Sequence, residues 1–285
     1  MSLESSKVQP LIEHLAELRK RLIIIVITVV IGMGFAWNFA DDILVFMEKP
    51  LTGATYLDTA KQKVYLYLKE QYPTIYSRAN LEKELNKPVK QHSLNYTAPL
   101  EPFFMQCKIS ALAGFVLALP VVFYQIWAFI APGLTSKERR LVVPFITVAS
   151  IAFCIGALFF LTTIWPFIIN FSLSYETEGL RSWLSLSSYV DFCLRLILLF
   201  GFIAELPVIT LMLSRFGLVS HQFLAPKRKY ALLVSAIIAA FHSDLVTMFV
   251  IMIPLYLMYE VSIWVALIFG KKKVPPAVEP ELESS

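Results

Sequence analysis

The chain has 285 residues, 57% of them hydrophobic and only 16% charged, with a net charge of +4. Soluble domains carry about 25% charged residues, so the apolar excess points to lipid as the solvent. A charge this small gives no nucleic-acid footprint, and the basic residues acquire a positional meaning instead.

The N-terminal stretch is polar up to Arg21, so no cleavable signal is read and the first apolar run is expected to stay as an anchor. Within it, Leu11, Leu15, Leu18 and Leu22 recur at helical spacing. They predict an amphipathic helix over residues 1–21 that lies on the inner membrane surface and feeds the first span. Glu17 stands one turn before Arg21. It is either half of an ordinary i,i+4 surface pair or an acid facing a cationic ligand.

A helix needs about 20 residues to cross the hydrocarbon. Six stretches between residues 22 and 270 approach that length: Leu22 to Phe39, Ile109 to Ile130, Leu141 to Trp165, Tyr189 to Leu213, Tyr230 to about Phe241, and Leu245 to Phe269. Pro166 is expected to end the third. The last two share one apolar run broken only at His242-Ser243-Asp244, which reads as the tip of a hairpin with two short arms. Pro120, Pro207 and Pro254 fall inside spans and are expected to kink them. The fold expected is therefore an all-α polytopic membrane protein with six transmembrane helices, several of them kinked.

Direction follows from short basic loops. Arg19, Lys20 and Arg21 precede the first span. Lys137, Arg139 and Arg140 separate the second from the third. Arg215, Lys227, Arg228 and Lys229 separate the fourth from the fifth, and Lys271, Lys272 and Lys273 follow the sixth. The remaining short loop, Pro166 to Ser188, holds the single base Arg181. Alternation of this kind puts both termini in the cytoplasm.

An extended external loop at about 40–105 is the one soluble-looking region. Thr59 to Lys90 mixes charges with Val64, Tyr65, Leu68, Tyr72 and Tyr76, and reads as one or two short helices broken near Pro73. It is either a cap or a solvated insertion. Residues 271–285, rich in Pro and Glu, read as a disordered tail.

Several polar residues exceed what orientation requires. Glu138 in Lys137-Glu138-Arg139-Arg140 is either a helix-start acid or a second carboxylate for the ligand of Glu17. Two such carboxylates would suit two guanidinium groups, each bound bidentately. Glu205 lies mid-span, where an ionisable side chain costs several kcal/mol if it faces lipid unpaired. It is expected to face the protein interior, a watery cavity or a partner helix, or else to bond backbone freed by Pro207. Arg195 is roughly 15 Å away along the helix and is better placed to pair with Asp191. Asp244 reads as a polar turn residue, and Glu260 as one near the inner interface. Cys107, Cys154 and Cys193 sit in or beside apolar runs at no metal-like spacing and read as small hydrophobes.

The segments His14-Leu15-Ala16-Glu17-Leu18-Arg19, Tyr124 to Leu134 (YQIWAFIAPGL), Glu138 to Pro144 (ERRLVVP), Phe200-Gly201 followed by Glu205-Leu206-Pro207-Val208, and Lys227-Arg228-Lys229-Tyr230 together resemble the TatC family. The resemblance runs over most of the chain. It implies the core receptor subunit of the twin-arginine translocase in the bacterial inner membrane. Such a subunit binds Arg-Arg signal peptides of folded proteins at the cytoplasmic face, with transport driven by the protonmotive force. It further implies that Glu17 and Glu138 are signal-reading acids, set among Arg19, Phe129, Arg139 and Arg140, and that Glu205 and Asp244 form an intramembrane polar site. The implied partners are TatA and TatB, membrane lipid, and further copies in an oligomer. Two departures stand out. Phe241-His242-Ser243-Asp244 and Met248 replace the family's Thr-Pro-Pro-Asp tip and a nearby glutamine, and the first external loop is longer than the family pattern.

A proton-coupled solute transporter using Glu205 is the competing class; no internal repeat supports it. No His-Glu metal spacing, nucleophile elbow or phosphate loop is present, so no enzyme, metal or cofactor is expected.

Overall fold

The computed structural model describes residues 5–52, 56–73, 92–130, 142–177, 182–241 and 245–269. The chain divides into two compact units, Met1–Phe202 and Ile203–Ser285. The described residues are helical, and extended pairing among them is confined to isolated bridges such as Asn95 with Ser185. Five helical stretches among them are long and apolar enough to cross a membrane: His14–Leu51, Glu101–Ile130, Val142–Leu173, Leu186–Arg215 and Thr247–Phe269.

In the first unit, α1 (Ser5–Ala36) is one uninterrupted helix that joins the amphipathic leucine segment directly to the first apolar run. A short 3-10 turn at Trp37–Phe39 leads to α2 (Ala40–Glu48), and a second at Lys49–Leu51 ends the run. Residues 40–51 were expected to belong to the external loop. Instead Ala40, Met47, Pro50 and Leu51 are buried, because the apolar stripe from Ile43 to Met47 continues the helix after Asp41 and Asp42 start it favourably at its N-terminus. Beyond it, α3 (Tyr56–Gln71) is the first of the helices expected in the loop; residues 74–91, which would carry the second, lie outside the described set.

α4 (Glu101–Ile130) packs antiparallel to α1 along nearly its whole length. His14 meets Phe129 and Arg21 meets Gln125 at one end, Gly32 meets Gly114 midway, and Trp37 meets Phe103 at the other. The glycine pair sets the separation. A Cβ on Gly114 would lie 2.3 Å from the Met33 nitrogen, and one on Gly32 would lie 2.6 Å from the Gly114 carbonyl oxygen. In lipid, where helices gain no hydrophobic drive from meeting each other, such close backbone approach supplies the packing.

The third apolar run is longer than expected. α5 (Val142–Phe159) passes through a π-helical turn at Phe160–Ile164 into α6 (Trp165–Leu173), so Pro166 does not end it. The wider turn explains the difference. With Trp165 N–H bonded to Phe160 O, the carbonyls ahead of the proline are displaced, and Pro166 occupies a first-turn position of α6 where its missing N–H costs nothing. α7 (Leu186–Arg215) brings Gly201 against the Phe153 ring, which is fully buried; a Cβ there would lie 2.4 Å from that ring. Phe115, Phe153 and Phe202 pack edge to face or tilted around this point, and Phe160 stacks on Phe200. Hydroxyls within the apolar runs satisfy themselves on the preceding turn, as Ser110 does on Gln106 and Ser150 on Ile146.

One end of this unit is tied by polar contacts. Tyr189 OH and Trp165 Nε1 both donate to the Met47 carbonyl, at 2.6 and 3.0 Å. Glu101 Oε2 accepts the Thr97 and Ala98 N–H groups, and its Oε1 accepts Ser187 N–H at 2.9 Å, joining the N-termini of α4 and α7. Those backbone donors stabilise the ionised form of the carboxylate. Asp191 was expected to pair with Arg195 on its own helix. It takes Lys108 Nζ instead, at 2.8 and 2.9 Å to its two oxygens, and Arg195 is exposed. The cross-helix partner wins because α4 and α7 run alongside each other, an arrangement no spacing within one helix reveals.

In the second unit, α7 ends at Gly217 (φ +76°), with Leu218 N–H bonded to Leu213 O and Gly217 N–H to Ser214 O, the two bonds of a Schellman cap. A short α8 (His221–Leu224) and a 3-10 turn lead to α9 (Arg228–Ala240), which packs on α10 (Leu245–Phe269). Arg228 at the start of α9 grips Glu260 near the end of α10 at 2.8 and 3.0 Å, so the two helices are antiparallel. α9 has 13 residues, about 20 Å at 1.5 Å per residue. The expected hairpin tip, His242 to Asp244, lies outside the described residues.

Candidate functional site

Where α1 and α4 meet at their Arg21–Gln125 end, five side chains converge. His14 stacks on Phe129 with ring centroids 4.3 Å apart and planes 23° from parallel. One turn along α1, the Arg21 guanidinium grips Glu17: Nε donates to Oε1 at 3.1 Å and Nη2 donates to the same oxygen. The Nη1 of Arg21 donates to the buried Gln125 side-chain oxygen at 3.3 Å. Glu17 is thus both paired, as its spacing predicts, and positioned against α4 by way of Arg21. Its side chain is still 36% exposed, so a ligand from solvent can reach the carboxylate. Chemically this is an acid held in a fixed direction, with the His14–Phe129 stack on the same pair of helices, suited to pairing with a cation.

Of the residues singled out in the sequence, Glu17 and Phe129 come together through His14 and Arg21. Arg19 is exposed on the same turn of α1 as Glu17. Glu138, Arg139, Arg140 and Asp244 lie outside the described residues. Gln125 and His14 were not singled out by sequence reasoning. The spacing from Arg21 to Gln125 spans 104 positions, and only the antiparallel register of α1 on α4 brings them together.

Glu205 is buried, with 3% exposure, on α7 two residues before Pro207. At the other end of its unit, the basic residues cluster. The Arg215 guanidinium lies 5.8 Å from the Phe269 ring centre and Lys227 Nζ 3.4 Å from that of Phe223. Glu260 holds Arg228 and also accepts from Tyr256 OH at 2.8 Å, while Tyr259 OH donates to Leu224 O at 2.9 Å. Glu260, read from the sequence as a residue near an interface, therefore fastens the α9–α10 hairpin. No group of three or more His, Cys, Asp or Glu side chains among the described residues is arranged to hold a metal.

Comparison with known proteins places this arrangement. Residues 13–254 match the family model described as TatC, Sec-independent protein translocase protein. A Sec-independent protein translocase protein TatC from Desulforapulum autotrophicum is 34% identical over 275 residues, covering 96% of this chain and 89% of that protein. One from Aquifex aeolicus is 32% identical, covering 93% and 97%. Two crystal structures of a twin-arginine translocase receptor, TatC, superpose with TM-scores of 0.67 and 0.68 at 31% identity, covering 89% of this chain and 98% and 99% of theirs. The chain belongs to the TatC family and is a multi-pass membrane protein of the Sec-independent protein translocase.

Proposed function

We propose that this chain is the receptor that reads paired arginines in the signal peptides of folded export substrates. The observation that carries the reading is Glu17, solvent-accessible yet held against α4 by Arg21 and Gln125. One arginine of the peptide pairs with Glu17 beside the Phe129 ring, and the second pairs with Glu138. Arg19, Arg139 and Arg140 set the local field and hold the loop at the membrane face.

The wider reading has six spans with both termini in the cytoplasm of a bacterium, and the chain in its inner membrane. α9 supplies the short fifth span, with the bilayer thinned around it. The clustering of Arg215, Lys227 and Arg228 at one end of the second unit supports that orientation. Pro120, Pro207 and Pro254 kink their helices. Residues 1–21 serve as the cytoplasmic helix, 22–270 as the membrane domain and 271–285 as a free tail. Glu205, with Asp244, meets polar groups of the single-span partners TatA and TatB in an oligomeric complex. Transport draws on the protonmotive force, and the chain is not an enzyme.

The test is binding of a twin-arginine signal peptide to the purified chain in detergent, against a variant peptide with two lysines. The lysine pair cannot form bidentate carboxylate contacts, so it binds more weakly. Equal affinity for both peptides contradicts the proposal.

A further inference from the structure

The four spanning-length helical runs of the first unit enclose a cavity of about 440 Å³ between them. Its floor is buried and comes from three helices: Ala36 of α1, Ile109 of α4, and Leu194 and Ile197 of α7. Its rim is exposed: Phe35 of α1, Leu117 of α4 and Leu158 of α5. Each rim residue stands near the middle of its apolar run, so the cavity opens sideways, toward hydrocarbon rather than toward water. Every lining side chain is a hydrocarbon except the thiol-bearing Cys154.

The depth of the cavity follows from the polar pair at its head. Ile109 directly follows Lys108, and Leu194 stands three residues beyond Asp191, the two partners of an ion pair at 2.8 Å. From Ile109 to Leu117, α4 advances about 12 Å away from that pair. The hydrocarbon core is about 30 Å thick, so the cavity fits within one leaflet.

These dimensions select the occupant. Water would find no hydrogen-bonding partner among such side chains, and an unfilled void would deprive its lining of contacts. A partner helix is about 10 Å across with its side chains and would need a groove that runs through both leaflets. A single hydrocarbon chain matches both the lining and the length.

We propose that the cavity holds one acyl chain of a membrane phospholipid from the leaflet at the Lys108–Asp191 end. The chain lies along α4 from Ile109 to Leu117, with its headgroup at the level of the ion pair. It supplies the van der Waals contacts that the four helical runs leave unmade there. The site shares no residue with the peptide site and depends only on the chain being a membrane protein, so either reading can fail without the other.

The test uses the full chain in nanodiscs containing phosphatidylcholine with a photoactivatable diazirine midway along one acyl chain. After illumination and proteolysis, mass spectrometry locates the adducts. They concentrate at residues 112–117 and 154–158, above the level at Val26 and Val30, which are exposed on α1 outside the cavity. Ala113→Phe fills the cavity from its α4 wall, removes those adducts and leaves the ones at Val26 and Val30. Equal labelling of all these positions means ordinary surrounding lipid and overturns the proposal. Labelling of Val26 and Val30 with none in the cavity means that it is empty or occupied by protein, and overturns it too. Should the Ala113→Phe chain fail to fold, a folded Cys107→Ala chain is treated with benzyl methanethiosulfonate. Cys193 is fully buried, so Cys154 takes the benzyl group and carries it into the cavity. Cavity adducts that survive the filling refute the proposal.

Discussion

Arg21 on α1 donates to the Gln125 side-chain oxygen on α4 at 3.3 Å while the same guanidinium grips Glu17. The contact converts an exposed i,i+4 pair, which alone contributes only about 0.3–0.5 kcal/mol, into a device that fixes an acid relative to a second helix. A peptide guanidinium then meets a carboxylate whose direction is already set, and less ordering is left to occur on binding.

Removing the charge tests that role. A hydrogen bond to a charged group contributes about 1.5–3 kcal/mol, and about 1.4 kcal/mol is tenfold in affinity. Glu17→Gln is therefore expected to weaken twin-arginine peptide binding by about 10- to 100-fold, with a smaller loss for the lysine-pair peptide. Titration calorimetry of both peptides against both chains gives the coupling. An equal loss for the two peptides means that Glu17 does not read guanidinium geometry.

The α1–α4 crossing makes a sharp contrast between neighbouring glycines. Gly114→Val pushes side-chain atoms into the Met33 backbone, 2.3 Å from where its Cβ would stand, and overpacking of this kind costs about 1–3 kcal/mol. Gly34→Ala meets nothing within 4 Å and is expected to be neutral or slightly stabilising. Thermal unfolding in detergent separates the two, and a Gly114→Val chain as stable as its parent shows that the crossing is loose.

At the other end, Tyr189→Phe deletes the hydroxyl that donates to Met47 O at 2.6 Å and accepts from Trp165 Nε1 at 3.1 Å. The expected loss is about 1 kcal/mol, with faster amide exchange around Met47 to Leu51. Unaltered exchange there, alongside unaltered stability, shows that Trp165 alone secures this junction.

Glu205 separates reading from transport. In the proposed scheme it serves partner helices rather than the signal, so Glu205→Ala keeps peptide affinity and abolishes export of a twin-arginine reporter from cells. If instead peptide binding is lost while export machinery still assembles, Glu205 belongs to the signal site.

Much of this architecture is legible in the sequence, for physical reasons. The apolar run Leu245 to Phe269 coincides with α10 because a polar tip and a basic tail bound it. Pro166 misleads because the rule that proline ends a helix assumes α-geometry up to it, and the π-helical turn at Phe160–Ile164 changes that geometry. Asp41 and Asp42 make residues 40–51 look like loop, although two acids are what a helix start prefers. Glu17 and Phe129 are visible as types in a pattern, whereas Gln125 and the Lys108–Asp191 pair depend on which helices become neighbours. That information is tertiary, and a single sequence does not print it.

The central claim is that the Arg21–Gln125 end of α1 and α4, with the loop bearing Glu138, receives the arginine pair. The direct measurement is site-specific photo-crosslinking with the probe at position 129 or 138 and a signal peptide carrying its arginines in register. The account predicts adducts from both positions centred on the arginine residues, lost when those arginines become lysine, and none from position 64 on α3. Adducts from position 64 but not from 129 or 138 would place the signal on the opposite face and contradict the account.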